Sequence, residues 1–248
     1  MKSTVSGSPA SKPSLLWFCG RSLFREYGRA FFAKVICRHP GRTIRGLGQY
    51  VWGQSAPELT KAVQEWSGGS GSLVGVGFCL KPLSPACPAG RANHRCALFD
   101  RGISPGHKIP AACRECRIRE FGEWARSIRS DFYIMTSAQD ILRHVLLPSL
   151  NQHRYSRALL VLCRYSFEPM RLALAIAGVD TLLMPLDRGD CRDYATWRRA
   201  DLGDKAEQTE LSSWHRQWLV KGLDAAPCTP GIPSFQRRDE IYEIKAGR

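Results

Sequence analysis

FYIMTSAQDILRHVLLPSLNQHRYSRALLVLCRYSFEPMRLALAIAGVDTLLM, residues 132–184, is the stretch whose reading decides the fold. Phe132–Met135 is a short apolar run of the kind that forms a buried strand. Ser137-Ala-Gln-Asp140 resembles a capping box opening a helix that carries Ile141, Leu142, Val145 and Leu146, and Pro148 is expected to close it. Ala158–Leu162 reads as a second buried strand, ending at Cys163. Phe167–Ala177 reads as a second helix, stopped by Gly178, and Thr181–Met184 as a third strand. Strand, helix, strand, helix, strand with short links implies right-handed crossovers, hence an α/β fold with a small parallel sheet and flanking helices. Functional groups in such sheets collect beyond the carboxyl ends of the strands. Cys163 falls there, Cys191 follows the third strand by a few residues, and Thr136-Ser137 ends the first.

Working upstream, Leu73–Phe78 reads as a further strand, which delivers Cys79. Residues 80–112 hold many Pro and Gly and little periodicity, so a loop of this length needs something to organise it. Ser67-Gly-Gly-Ser-Gly-Ser72 reads as a flexible linker, and Ala56–Trp66 as a short helix. From Ser14 to about Ile36, Leu23, Phe24, Tyr27, Phe31, Phe32 and Val35 recur at helical steps, with Arg21, Arg25, Arg29 and Lys34 opposite. His39-Pro40-Gly41 stops that helix, and a second basic segment runs from Arg42 to Trp52. The organisation expected is a basic helical N-terminal extension (1–66), the linker (67–72), a cysteine-rich α/β domain (73–211) and a C-terminal tail (212–248).

The 248 residues are 44% hydrophobic and 23% charged, an ordinary globular composition that excludes collagen-like or wholly disordered chains. The formal net charge is +14, and it is concentrated: residues 1–52 carry nine Lys and Arg against one acid, Glu26. Such a segment suits an anionic partner, whether nucleic acid, acidic protein or lipid, or else is a solvated basic face. Its aromatic stripe suits docking on the main domain, or contact with a membrane surface or partner. No run approaches the roughly 18–20 apolar residues of a spanning helix. Leu15–Cys19 is too short for a signal-peptide core, and Arg21 and Arg25 follow it. The ten cysteines are therefore expected to be reduced, in the cytoplasm, where clustered thiols favour metal over disulfides.

Cys113-Arg-Glu-Cys116 stands directly before a helical pattern, where exposed amides and the helix dipole lower a thiol's pKa. A two-residue spacer lets both sulfurs reach one metal ion. With upstream partners, a four-thiolate set of Cys87, Cys96, Cys113 and Cys116 becomes feasible, Cys79 competing for one place; it suits zinc or an iron–sulfur cluster. The spacers match neither a common zinc ribbon nor the plant and bacterial ferredoxins. Cys163 and Cys191 are cofactor-binding candidates from the sheet edge. Cys19, Cys37 and Cys228 read as ordinary residues; the loop histidines His94 and His107 could replace one thiolate but read as solvated and are left out of the site. A Gly-rich phosphate loop, a GxSxG elbow, HExxH and a CxxxCxxC run are all absent.

In this order and context the cysteines resemble an uncharacterised bacterial and archaeal family, the domain of unknown function numbered one hundred and sixteen. Cys79-Leu80, Cys87, Cys113 with Cys116, Cys163 and Gly189-Asp190-Cys191 carry the resemblance, over about residues 73–210; Cys96 is additional. It implies a cysteine-rich α/β protein binding iron–sulfur or another metal, with those six thiols holding one cluster and reserve ligands, or two sites. Three readings follow. The first is a cytoplasmic iron–sulfur protein with an electron-transfer or accessory redox role, serving a redox partner or larger enzyme. The second is a zinc-stabilised module whose basic N-terminus binds nucleic acid or another anion. The third is an enzyme with Cys163 or Cys191 as nucleophile, for which the sequence identifies no base.

Overall fold

A computed structural model describes residues 12–52, 66, 68–101, 109–224 and 234–245. The helix expected over 56–66 lies, apart from Trp66, outside these residues, as do Ser67, His107 and Cys228.

Six strands form one sheet: β1 (Ser72–Gly77), β2 (Asp131–Met135), β3 (Arg157–Leu162), β4 (Asp180–Pro185), β5 (Phe235–Arg238) and β6 (Ile241–Ile244), in the order β4-β3-β1-β2-β6-β5. The first four in that order are parallel; β6 runs antiparallel to β2, and β5 to β6. The sheet is therefore mixed and larger than the small parallel one expected. The added hairpin was invisible in sequence because its strands are four residues each and only Ile241 and Tyr242 are buried. Two such residues make no periodic signal.

Side chains alternate across the sheet as the pleat requires. Leu73, Tyr133, Ala158 and Leu160 enter one apolar core, whereas Val74, Val76, Phe132, Ile134 and Leu159 enter the other. The first core is covered by α1 (Lys12–Phe31), α2 (Pro40–Trp52), α4 (Ala138–Ile141 continuing through a π-helical turn, Leu142–Leu146, into Leu147–Gln152) and α5 (Arg164–Ala177). The second is covered by α3 (Arg117–Ser127) and α7 (Ser213–Asp224), with Trp124 edge-on to Trp218. A further helix, α6 (Tyr194–Asp201), starts at Asp193, whose carboxylate accepts the Thr196 amide at 2.8 Å.

The helices form where the caps and apolar spacing place them. Ser137 caps α4, its hydroxyl accepting the Asp140 amide at 3.2 Å. Gly178 ends α5 at φ 75°, a left-handed conformation that favours glycine. Pro148 does not close α4 as expected; the helix continues to Gln152 and ends at left-handed His153. The π turn just before Pro148 widens the backbone, so that the proline ring escapes the carbonyl it would strike in a regular helix.

The apolar stripe of the N-terminal helices faces the protein. Cys19, Leu23, Tyr27, Phe31 and Val35 are buried in the same core as α4 and α5. A π turn at Phe32–Ile36 extends α1, and α2 lies against α5 so closely that Gly46 leaves no room for a side chain: a Cβ there would stand 2.5 Å from the Ile176 Cα. No helix among the described residues is long and apolar enough to cross a membrane.

Candidate functional site

The chain leaves β1 through α3 on one face to reach β2, then crosses by α4 on the opposite face to β3, on the other side of β1. The carboxyl ends of β1 and β3 are therefore adjacent while their connections part to opposite faces. A crevice opens at such a switch point, and ligands of doubly wound sheets bind there. Here it holds a cavity of about 90 Å³. Strand ends supply its floor: Gly77 to Cys79 from β1, Met135 to Ser137 from β2, Leu162 and Cys163 from β3, and Leu186, Asp190 and Cys191 beyond β4. Glu26 and Tyr27 from α1, Asp201 from α6, and Lys205 close the other side.

Three thiols converge on this cavity. Cys163 is the N-cap of α5, with its sulfur 3.4 Å from the Ser166 hydroxyl. A hydrogen bond from the Cys191 thiol, helped by Ser166, draws the Cys163 thiol below its ordinary range, against burial. Donating that bond holds the Cys191 thiol protonated, well above its ordinary range. Lys205 Nζ lies 3.9 Å from the Cys191 sulfur. Burial raises the Cys79 thiol, with Thr209, Lys205 and Arg91 pulling it back.

Two carboxyls sharpen the cavity's chemistry. The Asp190 side chain is fully buried and pairs with Arg164 Nε at 3.5 Å and Arg192 Nε at 3.8 Å, yet its Oδ1 accepts no hydrogen bond. Glu26, 6% exposed, likewise has Oε1 buried without a partner. Burial, then the nearby Cys163 and Asp201, raises Glu26 to about 9, so its carboxyl is neutral at pH 7. The sequence hid both Glu26 and Lys205. Each lies far along the chain from the strands it serves, and Glu26 stood out only as the one acid among nine cations.

The remaining candidate thiols gather elsewhere, around Lys81. Cys96 accepts the Phe99 and Leu98 amides, yet burial still pushes it up to about 12. Cys116, the N-cap of α3, accepts the Arg119 and Ile118 amides, and burial outweighs them to raise it too. Burial raises Cys113, and the neighbouring Cys87 thiol adds to the rise in both Cys113 and Cys116. Lys81 is buried, its ammonium donating to the carbonyls of Gly90 and Asn93 at 3.1 and 2.8 Å and to Asn93 Oδ1 at 2.7 Å. Desolvation lowers it to about 8, and Cys87, Cys96 and Cys116 are the first groups working against that.

Cys79 thus joins Cys163 and Cys191, and the other four thiols form a separate group. Among the described residues, no three His, Cys, Asp or Glu side chains stand as the ligands of a single metal ion. His94 belongs to neither group: its ring bonds to the Ile134 carbonyl at 2.7 Å and the Thr136 hydroxyl at 3.1 Å, and stacks on Tyr133. None of the nine described cysteines is in a disulfide.

Fold and cavity together define a doubly wound α/β protein with a thiol-lined switch-point crevice. No protein-family model, curated protein or solved structure matches the chain.

Proposed function

We propose that this chain is a cytoplasmic iron–sulfur protein with an electron-transfer or accessory redox role, its cofactor held at the switch point by Cys79, Cys163 and Cys191. The observation that carries the reading is the convergence of these three thiols, from the ends of three strands, on one cavity. The donor set fits. Thiolates are the ligands of iron–sulfur clusters, Cys163 is already drawn toward its thiolate, and the buried Asp190 Oδ1, which accepts no hydrogen bond, offers a further oxygen. Lys205 beside Cys191 adds a positive charge that favours an anionic centre. When bound, the cluster would supply one-electron chemistry, and a redox partner or larger enzyme would exchange electrons with it.

One observation favours a second metal reading. Cys96 and Cys116 each accept two backbone amides, a pattern that favours thiolates, and the buried Lys81 has thiols rather than a salt-bridged carboxylate beside it. Zinc held by Cys87, Cys96, Cys113 and Cys116 would organise the 80–112 loop.

The deciding experiment measures iron, zinc, acid-labile sulfide and the visible spectrum of protein purified without oxygen. Iron with sulfide, lost in Cys163→Ser and Cys191→Ser but retained in Cys113→Ser, supports the switch-point cluster. Zinc without sulfide overturns it in favour of the four-thiol site.

A further inference from the structure

The outer faces of α1 and α2 carry large apolar and cationic side chains that stay exposed, although Phe24 also meets Phe32 edge-on and Arg25 lies over the Tyr194 ring. On α1, Trp17, Arg21 and Phe24 follow one another at helical spacing, opposite the buried Cys19, Leu23 and Tyr27. On α2, Ile44, Gly48 and Trp52 do the same, away from the face that meets α5. Trp17, Phe24, Ile44 and Trp52 are 72%, 53%, 72% and 81% exposed. Between and beside them Arg21, Arg25, Arg29, Lys34, Arg38 and Arg45 are exposed, and among the described residues none makes an ion pair with a carboxylate. The only acid of the segment, Glu26, points inward to the crevice. The exposed surface of this helical pair is therefore purely cationic and studded with large apolar groups.

A solvated basic face has no need of four exposed large hydrophobes, and single-stranded nucleic acid is held in a charged groove with aromatic platforms. These four side chains project from helix surfaces rather than line a groove such as the switch-point crevice, and Ile44 offers nothing to a base or phosphate. Tryptophan, phenylalanine and isoleucine flanked by arginine match the chemistry of the bilayer interface, apolar at acyl-chain depth and anionic at the headgroups. We propose that the outer faces of α1 and α2 dock this protein on an anionic lipid bilayer, Trp17, Phe24, Ile44 and Trp52 entering the interface while the arginines engage lipid phosphates. The proposal is independent of what the crevice binds.

The test is co-sedimentation of the full chain with vesicles of phosphatidylcholine, with and without phosphatidylglycerol, alongside binding to single-stranded RNA. The expected result is binding to the anionic vesicles only, weakened by salt, with tryptophan emission shifted to the blue. Arg21→Gln and Arg45→Gln should each weaken it about fivefold. Trp17→Ala with Trp52→Ala should abolish the blue shift and most binding without altering the circular dichroism, because both side chains are exposed. Salt-dependent retention of RNA with none on vesicles, equal binding to neutral and anionic vesicles, or full binding by the double tryptophan variant would each overturn the proposal.

Discussion

Replacing Gly46 by alanine tests the docking of the N-terminal helices by the sign of its effect. Gly46 is inside α2, where alanine is preferred over glycine by about 0.8–1.0 kcal/mol. On an undocked helix Gly46→Ala would therefore stabilise. In this structure the new Cβ would stand 2.5 Å from the Ile176 Cα, 2.6 Å from its nitrogen and 2.8 Å from the Ala175 carbonyl carbon. These are backbone atoms, unable to swing aside, and carbon atoms pack best at about 3.5–4.0 Å. The helices α2 and α5 must then separate by about 1 Å. Overpacking of this kind costs about 1–3 kcal/mol, so after the helix preference is subtracted the net loss is about 0–2 kcal/mol. At about 2–4 °C per kcal/mol for a chain of this size, the melting temperature should fall by up to about 8 °C and should not rise. Gly48 is the control on the same helix, because its Cβ would meet only the Trp52 ring at 3.5 Å, an ordinary contact. Gly48→Ala should be neutral or stabilising. The assay is thermal unfolding followed by circular dichroism for the three proteins at one pH. If Gly46→Ala raised the melting temperature as much as Gly48→Ala, the close approach of α2 to α5 would be refuted.

Glu26→Gln should gain stability relative to the parent chain as pH rises. The native carboxyl holds its proton up to about 9 while the unfolded one loses it near 4.5, so parent stability falls across that window and the glutamine variant is spared the loss; paired melting curves at pH 5 and pH 8.5 check it. Lys81→Met should cost about 1.5–3 kcal/mol at pH 7 through its lost charge-assisted hydrogen bonds, read as a lower urea midpoint. Because the native ammonium titrates near 8 and the unfolded one near 10.5, parent stability should rise with pH between those values, and Lys81→Met should lack that rise. In metal-free protein, alkylation of Cys163 followed by mass spectrometry should show a midpoint below the ordinary thiol range, and Cys191→Ala should move it upward by removing the hydrogen bond that holds the thiolate. A midpoint unmoved by that substitution would disprove the coupling.

Local sequence determined the parallel core of the sheet and the helices between its strands. Apolar runs such as Phe132–Met135 and Ala158–Leu162, the Ser137 cap and the Gly178 stop act within a few residues, and each element formed within three residues of its expected bounds at those points. The rule that functional groups gather beyond strand carboxyl ends then pointed to Cys163, Cys191 and Thr136 before any contact was known. Signals that depend on partners distant in the chain were illegible. The β5–β6 hairpin is stabilised by pairing with β2, and nothing in its own few apolar residues foretells that. Passage of α4 through Pro148 depends on a π turn that no periodicity announces.

The division of the cysteines has the same cause. Sequence spacing grouped Cys79 with Cys87 to Cys116 because they are near neighbours in the chain, and left its share in their site open. Strand order is what separates them: β1 lies beside β3, so Cys79 meets Cys163 and Cys191, while the loop that follows carries Cys87 and Cys96 to the start of α3 and its Cys116. Residue types and local periods thus fixed the elements and the stock of thiols, because propensity, capping and burial patterns are properties of short segments. Which thiols face one another, and that α1 sends Glu26 into their crevice, depended on topology and close packing, which join segments more than a hundred residues apart.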